Sequence, residues 1–272
     1  MQNTNKSFPL RLWLILTEAS AAASVAILPY ATTMNEKGLA KANEAMLKAG
    51  KKPLTTGRIV LSSLLNGHLT FGLAAGLGLR LARSMGMGAP KLEAWLEGKK
   101  PEVKPAQVGG YVARGVGAAL LIVLLDKTLF RKVAREFEKA GVLEMAPWKA
   151  LLACFYGGIA EEVLMRLGLQ TLLAAGLKRL QADKALPPAG KTMWPAILVA
   201  NLAFGAGHLP ATAQVIKLSP LVILRALLLN GIGGVVFGQL YWKKGLEAAM
   251  IAHASADVVL HVGGSLLNRK EK

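Results

Sequence analysis

Long apolar runs, separated by short polar and basic stretches, repeat along almost the whole chain. A helix needs about 20 mostly apolar residues, at about 1.5 Å each, to cross the roughly 30 Å hydrocarbon core of a bilayer. The pattern therefore predicts an all-α, polytopic membrane protein with about seven transmembrane helices, in the range of six to eight. The expected spans are residues 8–30, 57–81, 108–130, 148–180, 193–215, 218–242 and 246–267.

The polar stretches between the spans are themselves helix-prone. Residues 34–52 are rich in lysine, and residues 131–144 mix charged and apolar positions in an amphipathic pattern. We expect short amphipathic surface helices there and around residues 92–96. The first apolar run is also similar to a signal peptide with a small-residue cleavage region, but its length and the spans behind it favour a transmembrane helix. Lysine and arginine are spread too evenly over alternate loops to orient the chain.

Composition excludes an ordinary soluble domain. Hydrophobic residues make up 53% of the 272 positions and charged residues only 18%, and the mean hydropathy is +0.40. The net charge of +17 comes from cations grouped between the apolar runs, which suits anionic lipids as partners and not nucleic acid. The single cysteine, Cys154, excludes an internal disulfide and a cysteine-based zinc site.

Ionisable residues inside apolar runs are the candidates for chemistry, because a charge in hydrocarbon costs several kcal/mol unless it faces protein or a hydrated cavity. Glu161, Glu162 and Arg166 lie in the run 148–180. On a helix Glu162 and Arg166 can touch, whereas Glu161 points about 100° away from Glu162. One glutamate can thus be neutralised while the other stays available for chemistry.

Two histidines and an aspartate continue this set in the later spans. His253 and Asp257 share a helical face, so Asp257 can accept a hydrogen bond from His253 and select its tautomer, or both can point at a shared ion. With His208 they make a divalent-metal set plausible. Taken singly, each group also fits a helix-locking ion pair, a core contact or a proton pathway. Jointly these residue types indicate water activation.

Three short motifs formed by these residues resemble those of a known family, the CPBP intramembrane proteases, also called the Abi or CAAX-protease family, which includes the type II CAAX prenyl endopeptidase. EExxxR matches Glu161, Glu162 and Arg166; FxxxH matches Phe204 and His208; a histidine followed four positions later by Asn or Asp matches His253 and Asp257. The order and the intervals agree across residues 148–267.

The resemblance implies an intramembrane endopeptidase that cleaves a membrane-associated or prenylated protein. It also implies a role for each residue of the motifs. Glu161 would be the general base, helped by His208, and Glu162 with Arg166 would hold that helix in place. His253 and Asp257 would stabilise the oxyanion or help to bind a metal. The resemblance also implies a divalent metal, zinc foremost, with the ligand set Glu161, His208, His253 and Asp257.

One departure from the eukaryotic prenyl endopeptidases concerns Asp257, where they carry Asn. An ionised aspartate only accepts hydrogen bonds, so it cannot supply the oxyanion donor that an amide can. This favours Asp257 as a metal ligand or as the residue that orients His253, and it leaves the donor role to His253.

The predicted organisation has a catalytic core at residues 148–267, preceded by transmembrane helices and basic connections at 1–147 and followed by a basic tail at 268–272. We expect the protein in a bacterial cell membrane. The alternative function is a non-proteolytic membrane protein of the same fold, acting in bacteriocin immunity or as a scaffold. A proton-coupled transporter would use the same buried acids, although the chain has no evident inverted repeat.

Overall fold

The computed structural model describes residues 8–140 and 145–269 of the chain, and this part is built of helices without any strand. The prediction of an all-helical protein is confirmed. The N-terminal helices are α1 (Leu10–Ala26), α2 (Leu28–Met34), α3 (Glu36–Lys48), α4 (Thr56–Ser84), α5 (Pro90–Leu96), α6 (Pro105–Lys127) and α7 (Arg131–Lys139). The C-terminal helices are α8 (Pro147–Phe155), α9 (Thr171–Leu180), α10 (Gly190–Gly207), α11 (Leu209–Val215), α12 (Pro220–Lys244), α13 (Leu246–Asp257) and α14 (Gly264–Arg269).

Six helical segments of the described residues are long and apolar enough to cross a membrane. They are Leu10–Met34, Thr56–Ser84, Pro105–Lys127, Gly190–Val215, Pro220–Lys244 and Leu246–Leu267. The expected span at 148–180 is also helical, but its hydrogen bonding changes from α-helical to π-helical and back to α-helical along the chain. Between α8 and α9 the chain forms two π-helices, π1 (Tyr156–Glu161) and π2 (Val163–Gln170), and a third, π3 (Val258–Gly263), follows α13.

Local sequence explains where several helices begin. Pro90, Pro105, Pro147 and Pro220 are each the first residue of their helix, a position where the missing N–H is not needed and the fixed φ angle suits the helix. Ser219 adds a side-chain cap, because its hydroxyl accepts a hydrogen bond of 3.3 Å from the backbone N–H of Val222.

The spans pack as pairs of helices around an apolar core, with α1 against α4, α6 against α13, and α10 against α12. Leu12, Leu79 and Tyr241 are among its fully buried side chains. Helices α6 and α13 approach so closely that a methyl group at Gly115 would collide with the backbone carbonyl of Ala252. Small residues at such contacts let membrane helices gain dispersion energy where lipid provides no hydrophobic drive.

Three short helices lie in the connections, as the polar patterns predicted. Helix α3 covers most of residues 34–52, α5 contains residues 92–96, and α7 begins at Arg131. The end of the expected 131–144 helix, at 141–144, lies outside the described residues, as do residues 270–272 of the basic tail and the first seven residues of the predicted N-terminal region.

Candidate active site

The acidic motif lies where the helix between α8 and α9 changes its hydrogen bonding. Residues in π1 and π2 form wider turns with i to i+5 hydrogen bonds, and Glu162 is the residue between the two segments. Such π segments are rare and are frequent at functional sites. Here they present two consecutive glutamates to the same neighbouring helix, α13.

Glu162 is fully buried and joins two basic side chains. Its Oε1 lies 2.8 Å from Nδ1 of His253, and its Oε2 lies 3.4 Å from Nε of Arg166. The expected Glu162–Arg166 contact is therefore present, and the same carboxylate also holds an imidazole from α13. A carboxylate in hydrocarbon-like surroundings needs such partners to stay ionised.

Arg166 extends this cluster to α10. Its Nη1 donates a hydrogen bond of 3.0 Å to Oδ1 of Asn201, and its guanidinium carbon lies 5.7 Å from the ring centre of Phe204, within the range of a cation–π contact. Nη2 of Arg166 and Nδ2 of Asn201 have no hydrogen-bond partner within the described residues. The cluster thus contains two buried N–H donors without an acceptor among the described residues.

His253 presents its second ring nitrogen to two further carboxylates. Nε2 lies 3.7 Å from Oε2 of Glu161 and 3.7 Å from Oδ1 of Asp257. The imidazole stacks on the ring of Phe237, with centres 4.4 Å apart and planes 19° apart. Because Nδ1 faces Glu162, that residue orients the imidazole, a role the sequence left open to Asp257. Glu161 has the more accessible carboxylate. Its side chain is 20% exposed, whereas the side chain of Glu162 is fully buried.

Gly157 makes room for this arrangement. A methyl group on its Cα would collide with Oδ2 of Asp257 and would lie 3.2 Å from Nε2 of His253. Contacts of that length are shorter than side chains normally tolerate. Only glycine at this position lets π1 pass so close to the two side chains of α13.

His208 stands beside this cluster without joining it directly. Its Nδ1 donates a hydrogen bond of 2.9 Å to the backbone carbonyl of Phe204, which leaves Nε2 as the acceptor in the neutral ring. The Phe204 ring lies 4.7 Å from that of His208 and 6.1 Å from that of His253. Among the described residues, His208 makes no hydrogen bond or ion pair with either glutamate, so Phe204 separates the two histidines.

Comparison with known proteins finds one family that resembles the part of the chain that contains this site. The family model described as type II CAAX prenyl endopeptidase Rce1-like matches residues 143–259. Residues 143–259, called the Rce1-like region below, are thus similar to this family. All three predicted motifs lie within the match, which agrees with membership of the CPBP family. No curated protein and no solved structure matches the chain. The six apolar spans indicate an integral membrane protein, and its C-terminal part is similar to CAAX-type proteases.

The polar cluster continues beyond residue 259, where the Rce1-like region ends. Asp257 Oδ1 lies 3.9 Å from Nε2 of His261 in π3, and Nδ1 of His261 lies 3.5 Å from the hydroxyl of Tyr30 in α2. Neither His261 nor Tyr30 belongs to the three motifs recognised in the sequence. The contact between Tyr30 and His261 joins the first span to the site.

The expected metal ligands of the Rce1-like region do not form one coordination sphere. Within the described residues, no group of three or more His, Cys, Asp or Glu side chains has the geometry to hold a metal ion. Nδ1 of His253 is engaged by Glu162 and His208 lies behind Phe204. As they are arranged, the predicted ligands Glu161, His208, His253 and Asp257 do not surround one metal position, and zinc stays a prediction.

Sequence analysis of the Rce1-like region missed three residues that shape the site. Asn201 was visible as an amide in an apolar span, and that polarity was a usable signal. Phe237 and Gly157 gave no such signal, because aromatic residues and glycines are common in membrane helices. Their importance depends on which residues of other helices face them.

Proposed function

We propose that the protein is an intramembrane endopeptidase that hydrolyses a peptide bond of a membrane-associated or prenylated protein. The observation that carries this proposal is the position of the accessible Glu161 carboxylate, 3.7 Å from Nε2 of a histidine that a second, buried glutamate holds in place. A base and a fixed imidazole side by side among apolar helices are what water-mediated peptide hydrolysis needs. The Rce1-like match supports the same reaction class.

Glu161 acts as the general base in this proposal. It takes a proton from a water molecule, the resulting hydroxide attacks the scissile carbonyl, and the same carboxyl group returns the proton to the leaving amine. His253 supplies the positive partner for the oxyanion. Nδ1 of His253 is bonded to Glu162, so Nε2 is the nitrogen that faces the oxyanion, and the proposed role requires a proton on it.

The other members of the predicted site take supporting roles. Asp257 faces Nε2 of His253 as an acceptor, while Arg166 balances the charge of Glu162. His208 has its Nε2 free to contact a substrate or a water molecule on the far side of Phe204. Zinc, which the resemblance implies, is tested by metal analysis of the purified protein and of its His253→Ala variant.

The proposed class of substrate follows from the position of the site among apolar helices. Helices long and apolar enough to cross a membrane contribute to the cluster, and we propose that a substrate reaches it through or along the bilayer. A lipid-modified or membrane-tethered peptide is concentrated there, whereas a free soluble peptide is not. We propose the bacterial cell membrane as the location, with anionic lipids around the basic connections.

The decisive experiment is a cleavage assay in liposomes with matched prenylated and unprenylated peptides. We expect the wild-type protein to cleave the prenylated peptide, and Glu161→Gln to lower kcat/KM by about 100-fold or more because it removes a general base. Glu44→Gln, the same change in an exposed carboxylate of α3, serves as the control and should leave the rate unchanged.

Thermal unfolding of each variant separates lost chemistry from lost folding. Cleavage that persists undiminished in a folded Glu161→Gln protein would rule out Glu161 as the base. If the wild type cleaves no tethered peptide while a cellular phenotype survives both Glu161→Gln and His208→Ala, the non-proteolytic alternative is favoured.

A further inference from the structure

Asp257 lies between two histidines, of which only one belongs to a recognised motif. His253 is four positions before it and His261 is four positions after it. Nε2 of His253 is 3.7 Å from Oδ1 of Asp257, and Nε2 of His261 is 3.9 Å from the same oxygen. The second imidazole therefore faces the site, although no role in the proposed reaction has yet been given to it.

The carboxylate of Asp257 needs a donor that is not shared with another acid. Its side chain is only 11% exposed, and a buried carboxylate without hydrogen-bond donors is costly. His253 cannot meet this need alone, because its Nδ1 is bonded to Glu162 and its Nε2 also faces Glu161. Within the described residues, His261 is the other imidazole beside Asp257, and no second carboxylate lies next to it.

Tyr30 of α2 faces the opposite nitrogen of the His261 ring. Its hydroxyl is 3.5 Å from Nδ1 of His261, and the two rings meet edge to face, with centres 5.6 Å apart and planes 72° apart. A neutral imidazole has one donor and one acceptor nitrogen. A hydroxyl that donates to Nδ1 makes this nitrogen the acceptor, so the ring proton lies on Nε2 and points toward Asp257. Contacts of this length in active sites often tighten once a substrate is bound.

We propose that Tyr30 and His261 are positioning residues for Asp257. Tyr30 selects the tautomer of His261 that donates to Asp257, and this second donor holds the carboxylate in place while the Nε2 proton of His253 stays available to the oxyanion. The inference rests on the proposed peptide hydrolysis. Because Tyr30 lies outside residues 143–259, the first span completes a site whose motifs all lie in the Rce1-like region.

Cleavage kinetics of the full chain in liposomes test this role. Tyr30→Phe removes only the hydroxyl and should lower kcat by about three- to tenfold, the effect of one hydrogen bond. His261→Leu removes the donor itself and should lower kcat by about tenfold or more. The KM should stay within about twofold in both variants, because neither side chain is expected to contact the substrate. His261→Gln keeps an N–H group on the side chain and should restore part of the rate.

Two further variants control for the loss of a hydroxyl and of an imidazole. Tyr241→Phe removes a buried hydroxyl that lies 2.6 Å from Thr171, and His68→Leu removes an exposed imidazole of α4. Both should keep the wild-type kcat, even if Tyr241→Phe lowers the melting temperature. A wild-type kcat in either Tyr30→Phe or His261→Leu would overturn the proposal. A KM that rises while kcat stays unchanged would also overturn it, because that result indicates contact with the substrate.

A spectroscopic measurement tests the contact without any substrate. The chain has 4 histidines, so the ring-nitrogen NMR signals of His261 are identified by their loss in His261→Gln. We expect the proton on Nε2 in the wild type and a shifted Nδ1 signal in Tyr30→Phe. An unchanged His261 spectrum in Tyr30→Phe would overturn the proposal. If the spectrum changes as expected but the wild type cleaves no peptide, the contact is supported and the proposed hydrolysis is the part that fails.

Discussion

Oε1 of Glu162 lies 2.8 Å from Nδ1 of His253, although 91 residues separate them in the chain. The same carboxylate is 3.4 Å from Arg166, which in turn donates to Asn201. Three helical segments are thus tied together by one buried line of polar contacts. Glu162 therefore determines the orientation of His253, and through it the position of the nitrogen that faces Glu161.

The first prediction concerns the charge of Glu162. Glu162→Gln leaves Arg166 as a buried cation without a carboxylate, so the free energy of unfolding should fall by about 3 kcal/mol or more. Misplacement of His253 should lower kcat/KM by about 100-fold. Thermal unfolding and the cleavage assay measure the two effects.

The double variant Glu162→Gln, Arg166→Met is the control for charge balance. With both charges removed, no uncompensated ion is buried, and stability should recover relative to the single variant. A double variant that unfolds as easily as Glu162→Gln would show that shape, not charge, explains the loss.

The second prediction uses a pair of glycines. Gly157→Ala pushes a methyl group into Oδ2 of Asp257 and against His253, whereas Gly176→Ala in α9 meets no atom within 4 Å. We expect Gly157→Ala to lose most activity, because the carboxylate and the imidazole must move apart. Gly176→Ala should keep activity and gain about 0.5–1 kcal/mol of stability from helix propensity. Equal activities for the two variants would contradict the packing account.

The third prediction concerns an ion pair between α6 and α12. Nε and Nη2 of Arg225 donate to Asp126 over 2.6 and 2.8 Å, and the guanidinium lies 4.7 Å from the ring centre of Phe137. An arginine in an apolar span could lie near the headgroups or pair with an acid, and the structure pairs Arg225 with Asp126. Arg225→Met should cost about 1–3 kcal/mol, because the pair is bidentate and partly buried.

The exposed pair of Lys48 and Glu44 in α3 is the matched comparison, with 74% and 65% of the side chains accessible. Lys48→Met should change the free energy of unfolding by less than about 0.5 kcal/mol. Denaturant unfolding in one detergent measures both variants. A similar cost for the two substitutions would mean that the Arg225 geometry adds nothing to stability.

The fourth prediction is a pH dependence of stability at the turn between α9 and α10. The pKa of Asp183 is lowered from 3.8 to about 2, because its carboxylate accepts hydrogen bonds from the hydroxyl of Thr192 and the backbone N–H groups of Ala185 and Ala189. A lowered pKa stabilises the fold above the unfolded value of 3.8, and this contribution is lost as the pH falls through about 2.

Unfolding curves recorded between about pH 5 and pH 2 for the wild type and Asp183→Asn test the sign. The stability difference between the two proteins should be full at the upper end and should shrink toward the lower end. A difference that is constant or grows as the pH falls would contradict the lowered pKa.

Much of the fold could be predicted because hydrophobic length is a local property. Residues 220–244 are apolar for long enough to form a span, and Pro220 marks where it begins, so neither feature depends on other parts of the chain. The ionisable residues of the site were equally visible, since hydrocarbon excludes them unless they are used. The π segments were not visible, because no residue pattern distinguishes i to i+5 from i to i+4 hydrogen bonding.

By itself, the sequence determined an all-helical membrane protein, the residue types available for water activation, and their order along the chain. Only the tertiary structure decided which glutamate holds His253, that Phe204 keeps His208 apart from it, and that Gly157 admits Asp257. The physical reason is that span length and charge cost belong to single segments, whereas partners depend on the rotation and spacing of neighbouring helices. That rotation is set by packing over many side chains, and no motif of a few residues contains it.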